Sequence, residues 1–142
     1  MKRHQALTNL SREHHQSLRL AKKCIDTAAR AVPDQCEALC REIVSTFDEE
    51  WDRHFRNEET TIFNITAGME GRIHDLGLQL TEEHDSMRNM ARIMSEGETG
   101  CVILEKFGVL LRDHTRLEER ELFPLVEQAF SAGQMERIRK QT

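Results

Sequence analysis

The sequence predicts an all-α protein, an up-down-up-down four-helix bundle with a short fifth helix at its C-terminus. Three observations carry that expectation. Apolar residues recur at alternating spacings of three and four along four long segments, and the connections between those segments are short. The composition agrees, with 38% hydrophobic and 32% charged residues, no Tyr, six Phe and only two Pro, a balance that suits helices and argues against a β-sandwich. The chain of 142 residues is read as one domain, 1–142, large enough to bury a core without disulfide staples.

Each element follows in order. The first segment carries Leu7, Leu10, His14, Ser17, Ala21, Cys24 and Ala28 on one helical stripe and ends at Pro33. The second carries Val44, Phe47, Trp51, His54, Glu58 and either Ile62 or Ile65, and stops at the AGMEG stretch around Gly68 and Gly71. The third, Ile73, Leu80, His84, Met87, Ala91 and Met94, runs to the GETG turn from Gly97 to Gly100. The fourth places Ile103, Phe107, Leu110, His114, Leu117 with Glu118, and Leu125 on its stripe; Pro124 removes a backbone donor there and should kink the helix. A short fifth helix is expected after Gly133.

Charge and hydropathy exclude several functions. A net charge of -5 without a basic run argues against a nucleic-acid or anionic-membrane partner and against phosphate binding. The charged start MKRHQALTNLSREHH leads into no apolar run, and no segment is long enough to span a membrane, so a cytoplasmic location is expected. Zinc-protease HExxH, ferritin-like ExxH and Gly-rich phosphate loops are all missing.

Every stripe carries a histidine, and two carry a glutamate as well. Counting outward from the turns, His14 and His54 lie about 20 residues from Pro33, while His54, His84 and His114 lie about 15 residues from the turns between them, so antiparallel packing brings all four to one level. The segment HFRNEETTIF, 54–63, is written again as HTRLEERELF, 114–123, and Leu10-x-x-Glu13-His14 matches Leu80-x-x-Glu83-His84. His54 with Glu58, and His114 with Glu118, stand four apart and so share a helix face. A carboxylate facing a bundle core costs several kcal/mol unless a cation accompanies it. Four imidazoles and two carboxylates exceed one tetrahedral zinc but suit two octahedral or five-coordinate ions bridged by Glu58 and Glu118. Mixed nitrogen and oxygen donors favour iron, with manganese next.

The paired HFRNEETTIF and HTRLEERELFP motifs, each preceded by a helix bearing LxxEH, resemble the repeats of the hemerythrin-like HHE cation-binding domain, and the likeness spans nearly the whole chain. The resemblance implies a four-helix bundle around a non-haem di-iron centre, two iron ions with a bridging oxo or hydroxo group, manganese or zinc being the alternatives. It implies His14, His54, Glu58, His84, His114 and Glu118 as ligands. Oxygen-carrying members place a fifth histidine where this chain has Arg88, and an Asp at the position of Glu119. The ligand set is closer to the branch with two HxxxE motifs. The function expected is that of a metal-binding and sensing module, meeting oxygen, peroxide, nitric oxide or a changing iron supply. An iron-centre repair protein or a peroxide-consuming enzyme is the first alternative, and a structural zinc or manganese bundle the second.

The remaining candidates have plainer expectations. His15, turned about 100° from His14, is read as a surface residue and the alternative to His14, while Glu119 is the alternative to Glu118. His4 and His74 lie away from the site. Glu13 and Glu83 are read as solvated, with support of a neighbouring ligand as the other reading. Cys24, Cys36, Cys40 and Cys101 fall toward the end holding Pro33 and GETG, and are expected to be reduced thiols in or near the core.

Overall fold

A computed structural model describes residues 2–142. A 3-10 turn, Gln5–Leu7, leads into α1, Thr8–Arg30. Ala31 adopts a left-handed conformation at φ 56° and closes α1 by donating its N–H to the Ala28 carbonyl. Pro33 then opens the next helix from its first turn, where a missing N–H costs nothing. That helix, α2, spans 33–66: Pro33–Thr46, a wide π turn at Phe47–Asp52, Arg53–Glu58, a second π turn at Glu59–Phe63, and Asn64–Thr66. Gly71, at φ 81°, precedes α3, Arg72–Ser95. The fourth helix, α4, spans 101–129 as Cys101–Leu117, a π turn at Glu118–Leu122, and Phe123–Ala129. The short fifth helix expected from the sequence is α5, Ala132–Gln141, begun by a capping box between Ser131 and Gln134.

The π turns refine the expected stripes. Both turns that follow a His-x-x-x-Glu motif admit one extra residue, so the buried face slips: Ile62, Phe63 and Thr66 are buried while Ile65 is only half-buried, and Leu122, Phe123 and Val126 are buried in place of Leu125. Higher up, Ile43 and Leu111 take the core positions expected of Val44 and Leu110. Pro124 follows the wide turn in α4, so the carbonyl four residues back, which its ring would strike in a regular helix, lies inside that turn. The matching turn in α2 forms without a proline, so Pro124 is not its sole cause.

The four long helices run alternately up and down with no strand among the described residues. The burial pattern of 11–20 recurs at 81–90 and that of 51–60 at 111–120, so the sequence repeat is also a repeat of packing. α1 lies along α4 so closely that a Cβ on Gly108 would stand 2.7 Å from Cys24 Cβ. Two apolar clusters fill the interior. One, containing Cys24, Phe47, Met87 and Phe107, lies toward the Pro33 end; the other contains Leu10, Ile62, Leu80 and Phe123. A polar layer separates them.

At the Pro33 end the structure corrects the expectation of four reduced thiols. Cys36 and Cys101 are joined by a disulfide, their Cα atoms 5.1 Å apart, tying the starts of α2 and α4 across a sequence separation of 65. Loop closure of that length contributes about 4 kcal/mol in the chain-entropy account. Cys24 and Cys40 are free and buried; burial pushes Cys24 up to about 12 and Cys40 up to about 11, so neither is a ready thiolate. No helix among the described residues is long and apolar enough to cross a membrane.

Candidate metal centre

The polar layer is made by the six residues picked from the stripes. His14, His54, Glu58, His84, His114 and Glu118 are all buried, none more than 3% exposed. They form two groups, His14, His54, Glu58 and Glu118 on one side and Glu58, His84, His114 and Glu118 on the other, each with its donor atoms within 4.8 Å of one another. The two glutamates belong to both groups. Each imidazole directs Nε2 inward: His14 to 3.3 Å from Glu58 Oε2 and from Glu118 Oε1, His54 to 3.4 Å from Glu58, His84 to 3.0 Å from Glu58 Oε1, and His114 to 3.0 Å from Glu118 Oε1.

The charges in this layer are mutually dependent. Burial opposes charge on His54 and His114, yet the carboxylates of Glu58 and Glu118 outweigh it and hold both imidazoles at about 9; the same balance, led by burial and then by Glu118, leaves His14 well above the ordinary value. Burial likewise opposes ionisation of Glu58, and His54 with its neighbours overcomes it, so Glu58 lies well below the usual carboxylate range. Without a metal, His14, His54 and His114 therefore favour the imidazolium form beside an ionised Glu58. The layer's geometry is imperfect as a hydrogen-bond network. His114 Nε2 and both Glu118 oxygens are buried without a well-directed partner, despite the 3.0 Å approach.

The outward nitrogens show an arrangement that the sequence stripes did not reveal. Each Nδ1 meets a second carboxylate: His54 meets Glu13 at 2.7 Å, His84 meets Glu59 at 2.7 Å, His114 meets Glu83 at 2.8 Å, and His14 meets Glu119 at 2.6 Å. An ionised carboxylate only accepts, so each Nδ1 carries the proton and donates it. The pairing is cyclic. α1 supplies the carboxylate for the histidine of α2, α2 for α3, α3 for α4, and α4 for α1. All four outer glutamates are held below their ordinary range, where hydrogen bonding and opposite charge overcome partial burial.

Placement of the remaining candidates follows. Glu13 and Glu83 are not merely solvated; each supports the histidine on the neighbouring helix. Glu119 lies outside the inner layer, in that same supporting role, and His15 is exposed. Arg88 reaches away from the inner layer to Asp52 and Glu59. Glu59 is the functional neighbour that sequence reasoning missed. Its trace was in the text: the doublets Glu13-His14, Glu58-Glu59, Glu83-His84 and Glu118-Glu119 repeat together, pairing each inward residue with an adjacent carboxylate.

These residues fit a metal. Neutral imidazole nitrogens and carboxylate oxygens are the donors of divalent transition ions. A cation placed between the groups would satisfy the misdirected Glu118 oxygens and replace the protons on Nε2. The outer carboxylates fix each ring with Nε2 facing inward, the arrangement that metal-binding histidines use.

Comparison with known proteins is consistent with that chemistry. No match was found among curated proteins or among solved structures. The family model described as hemerythrin HHE cation binding domain matches residues 5–126, a span that contains all four helices' contributions to the polar layer. On that match, and with the bundle, the repeated motifs and the two donor groups all in place, the chain belongs to the hemerythrin HHE cation-binding domain family.

Proposed function

We propose that the protein is a non-haem di-iron binding module that responds to oxygen, peroxide, nitric oxide or iron level. The observation that carries this reading is the sharing of Glu58 and Glu118 by both four-donor groups. His14 and His54 would hold one ion, His84 and His114 the other, and the two glutamates would bridge them. Four protein donors to an ion that accepts five or six leave positions open to a small molecule. Arg88, bound to Asp52 and Glu59, adds no further donor. Bound iron would supply a change of oxidation state and a place for a diatomic or peroxide ligand.

The chain's own residues set how that site behaves. Glu13, Glu59, Glu83 and Glu119 hold the imidazole rings in one tautomer, and the two apolar clusters on either side of the layer exclude water. All four long helices donate to the centre, so occupancy is coupled to bundle stability, and a change in iron supply becomes a change in folding.

The test is anaerobic loading of the metal-free protein with ferrous iron, a count of bound metal, and visible spectra before and after oxygen and then peroxide. Two irons with a charge-transfer band that cycles slowly with reductant support the reading. Rapid repeated peroxide consumption would reassign the protein to an enzyme. Fewer than two irons, preference for zinc and a silent spectrum would leave a structural metal bundle.

A further inference from the structure

Arg88 belongs to neither donor group, yet its contacts converge on one member of them. It stands on α3 one turn beyond His84. Its guanidinium serves both oxygens of Glu59, Nη1 to Oε2 at 2.9 Å and Nη2 to Oε1 at 3.0 Å, while Nε donates to Asp52 at 2.5 Å. Both acceptors are on α2, so the side chain spans the α2–α3 seam. Nη1 also donates to Asp85 on its own helix at 3.1 Å. The guanidinium carbon lies 5.8 Å from the centroid of the Phe55 ring.

Two of these partners touch His84 directly. Glu59 accepts from its Nδ1 at 2.7 Å. Phe55 lies nearly parallel to the imidazole, centroids 4.2 Å apart and planes 16° apart. Two open grooves reach this seam, one of about 370 Å³ lined by Phe47, Asp52 and Arg88, the other of about 400 Å³ lined by Glu59, Phe63 and Thr81. Water entering either would compete for Glu59 unless a fixed donor occupied both of its oxygens. A planar fork does so, whereas a point charge does not.

We propose that Arg88 is the positioning residue of His84, clamping Glu59 against its Nδ1 and Phe55 against its face so that Nε2 stays directed at the centre. The other three outer carboxylates have no such fork. Glu13 receives one Arg53 nitrogen at 2.7 Å, Glu119 receives Ser11 at 2.8 Å and Arg3 at 3.4 Å, and Glu83 receives Gln79 at 3.0 Å.

The experiment follows the four imidazole Nδ1 protons of the metal-free protein by long-range proton–nitrogen NMR. In the wild type the His84 proton should exchange with solvent about tenfold more slowly than that of His114, the increment of one charge-assisted hydrogen bond. Equal or faster exchange at His84 overturns the proposal without any variant. In Arg88→Gln the His84 proton should lose its protection while those of His14, His54 and His114 keep theirs, and Arg88→Lys should not restore it. An unchanged His84 in Arg88→Gln, or full restoration by Lys, overturns the clamp. With ferrous iron added, Arg88→Gln should weaken one of two ions about 10- to 100-fold. That last readout rests on the dinuclear reading. A wild type binding fewer than two irons would remove that reading and leave the metal-free comparison to judge Arg88.

Discussion

The two sides of the polar layer share one inner chemistry and differ in what stands behind it. His14 and His54 face the same pair of glutamates as His84 and His114, and each of the four rings has an outer carboxylate. On the first side those carboxylates are braced by Ser11 and Arg3 and by Arg53; on the second, one is gripped by a two-toothed guanidinium and the other only by Gln79. The stacking partners differ as well. His14 lies 5.3 Å from Phe123 with planes 24° apart, looser than the His84–Phe55 stack. Donor chemistry tolerates no drift in the inner layer, while an outer carboxylate is content with any nearby N–H or O–H. Hence the repeat holds through the inner residues and their outer carboxylates and ends at the groups that brace those carboxylates.

The largest expected effect abolishes both sides at once. Glu58→Ala with Glu118→Ala removes the only residues common to the two groups, and bound iron should fall from two equivalents to near none. A count that stays at two would refute the bridging assignment. A smaller effect should separate the sides. Glu13→Gln and Glu83→Gln each keep the shape but remove the charge behind one imidazole, and each should weaken one ion about 10- to 100-fold, in titrations that resolve the first from the second equivalent. If both ions weaken equally in either variant, the sides are not independent.

The smallest effect treats both sides alike. His54 and His114, one on each side, are raised from 6.5 to about 9 by burial being outweighed by Glu58 and Glu118. Groups raised on folding stabilise fully below their unfolded value and lose that contribution as pH climbs through the folded one. Metal-free protein should therefore lose stability between about pH 6.5 and 9, followed by thermal melting. Glu58 acts in the opposite sense: its contribution is present above its usual 4.5 and fades as the solution becomes strongly acidic. Iron must displace the Nε2 protons, so the gap in melting temperature between loaded and metal-free protein should widen with rising pH. A constant gap across that window would mean that the imidazoles are already neutral.

How much of this was legible before the fold follows from the same contrast. His14, His54, Glu58, His84, His114 and Glu118 interrupt apolar stripes, and a residue that breaks its own helix's pattern is visible from one helix alone. Glu13, Glu59, Glu83 and Glu119 break no pattern. They sit at half-exposed positions where charge is ordinary, and their partners are on other helices, so the repeated doublets hint at them and only packing shows which histidine each one meets. The disulfide was hidden for a related reason. Turn counting put all four cysteines toward one end, but which pair meets depends on how each helix is rotated about its axis. The π turns left only a faint sign, in the choice between Ile62 and Ile65, because a wide turn has no compositional mark and shows itself as a slipped stripe.

The cyclic order of the outer carboxylates says something about ancestry of form. A half-turn that carries α1 and α2 onto α3 and α4 also carries the Glu13–His54 pair onto Glu83–His114, and Glu59–His84 onto Glu119–His14. Two copies of a single α1–α2 hairpin, facing each other across a twofold axis, would thus hold every imidazole and carboxylate of the centre. The link across 67–71 adds none of that chemistry; it fixes one hairpin at high effective concentration beside the other. Joining the hairpins also lifts a restriction, since in a symmetric pair any substitution appears twice. Shifted by the repeat, the counterpart of Arg88 is Leu18 and that of Arg53 is Asp113. A fused chain, unlike a symmetric pair, can set an arginine clamp behind one donor group and leave a leucine at the matching position of the other.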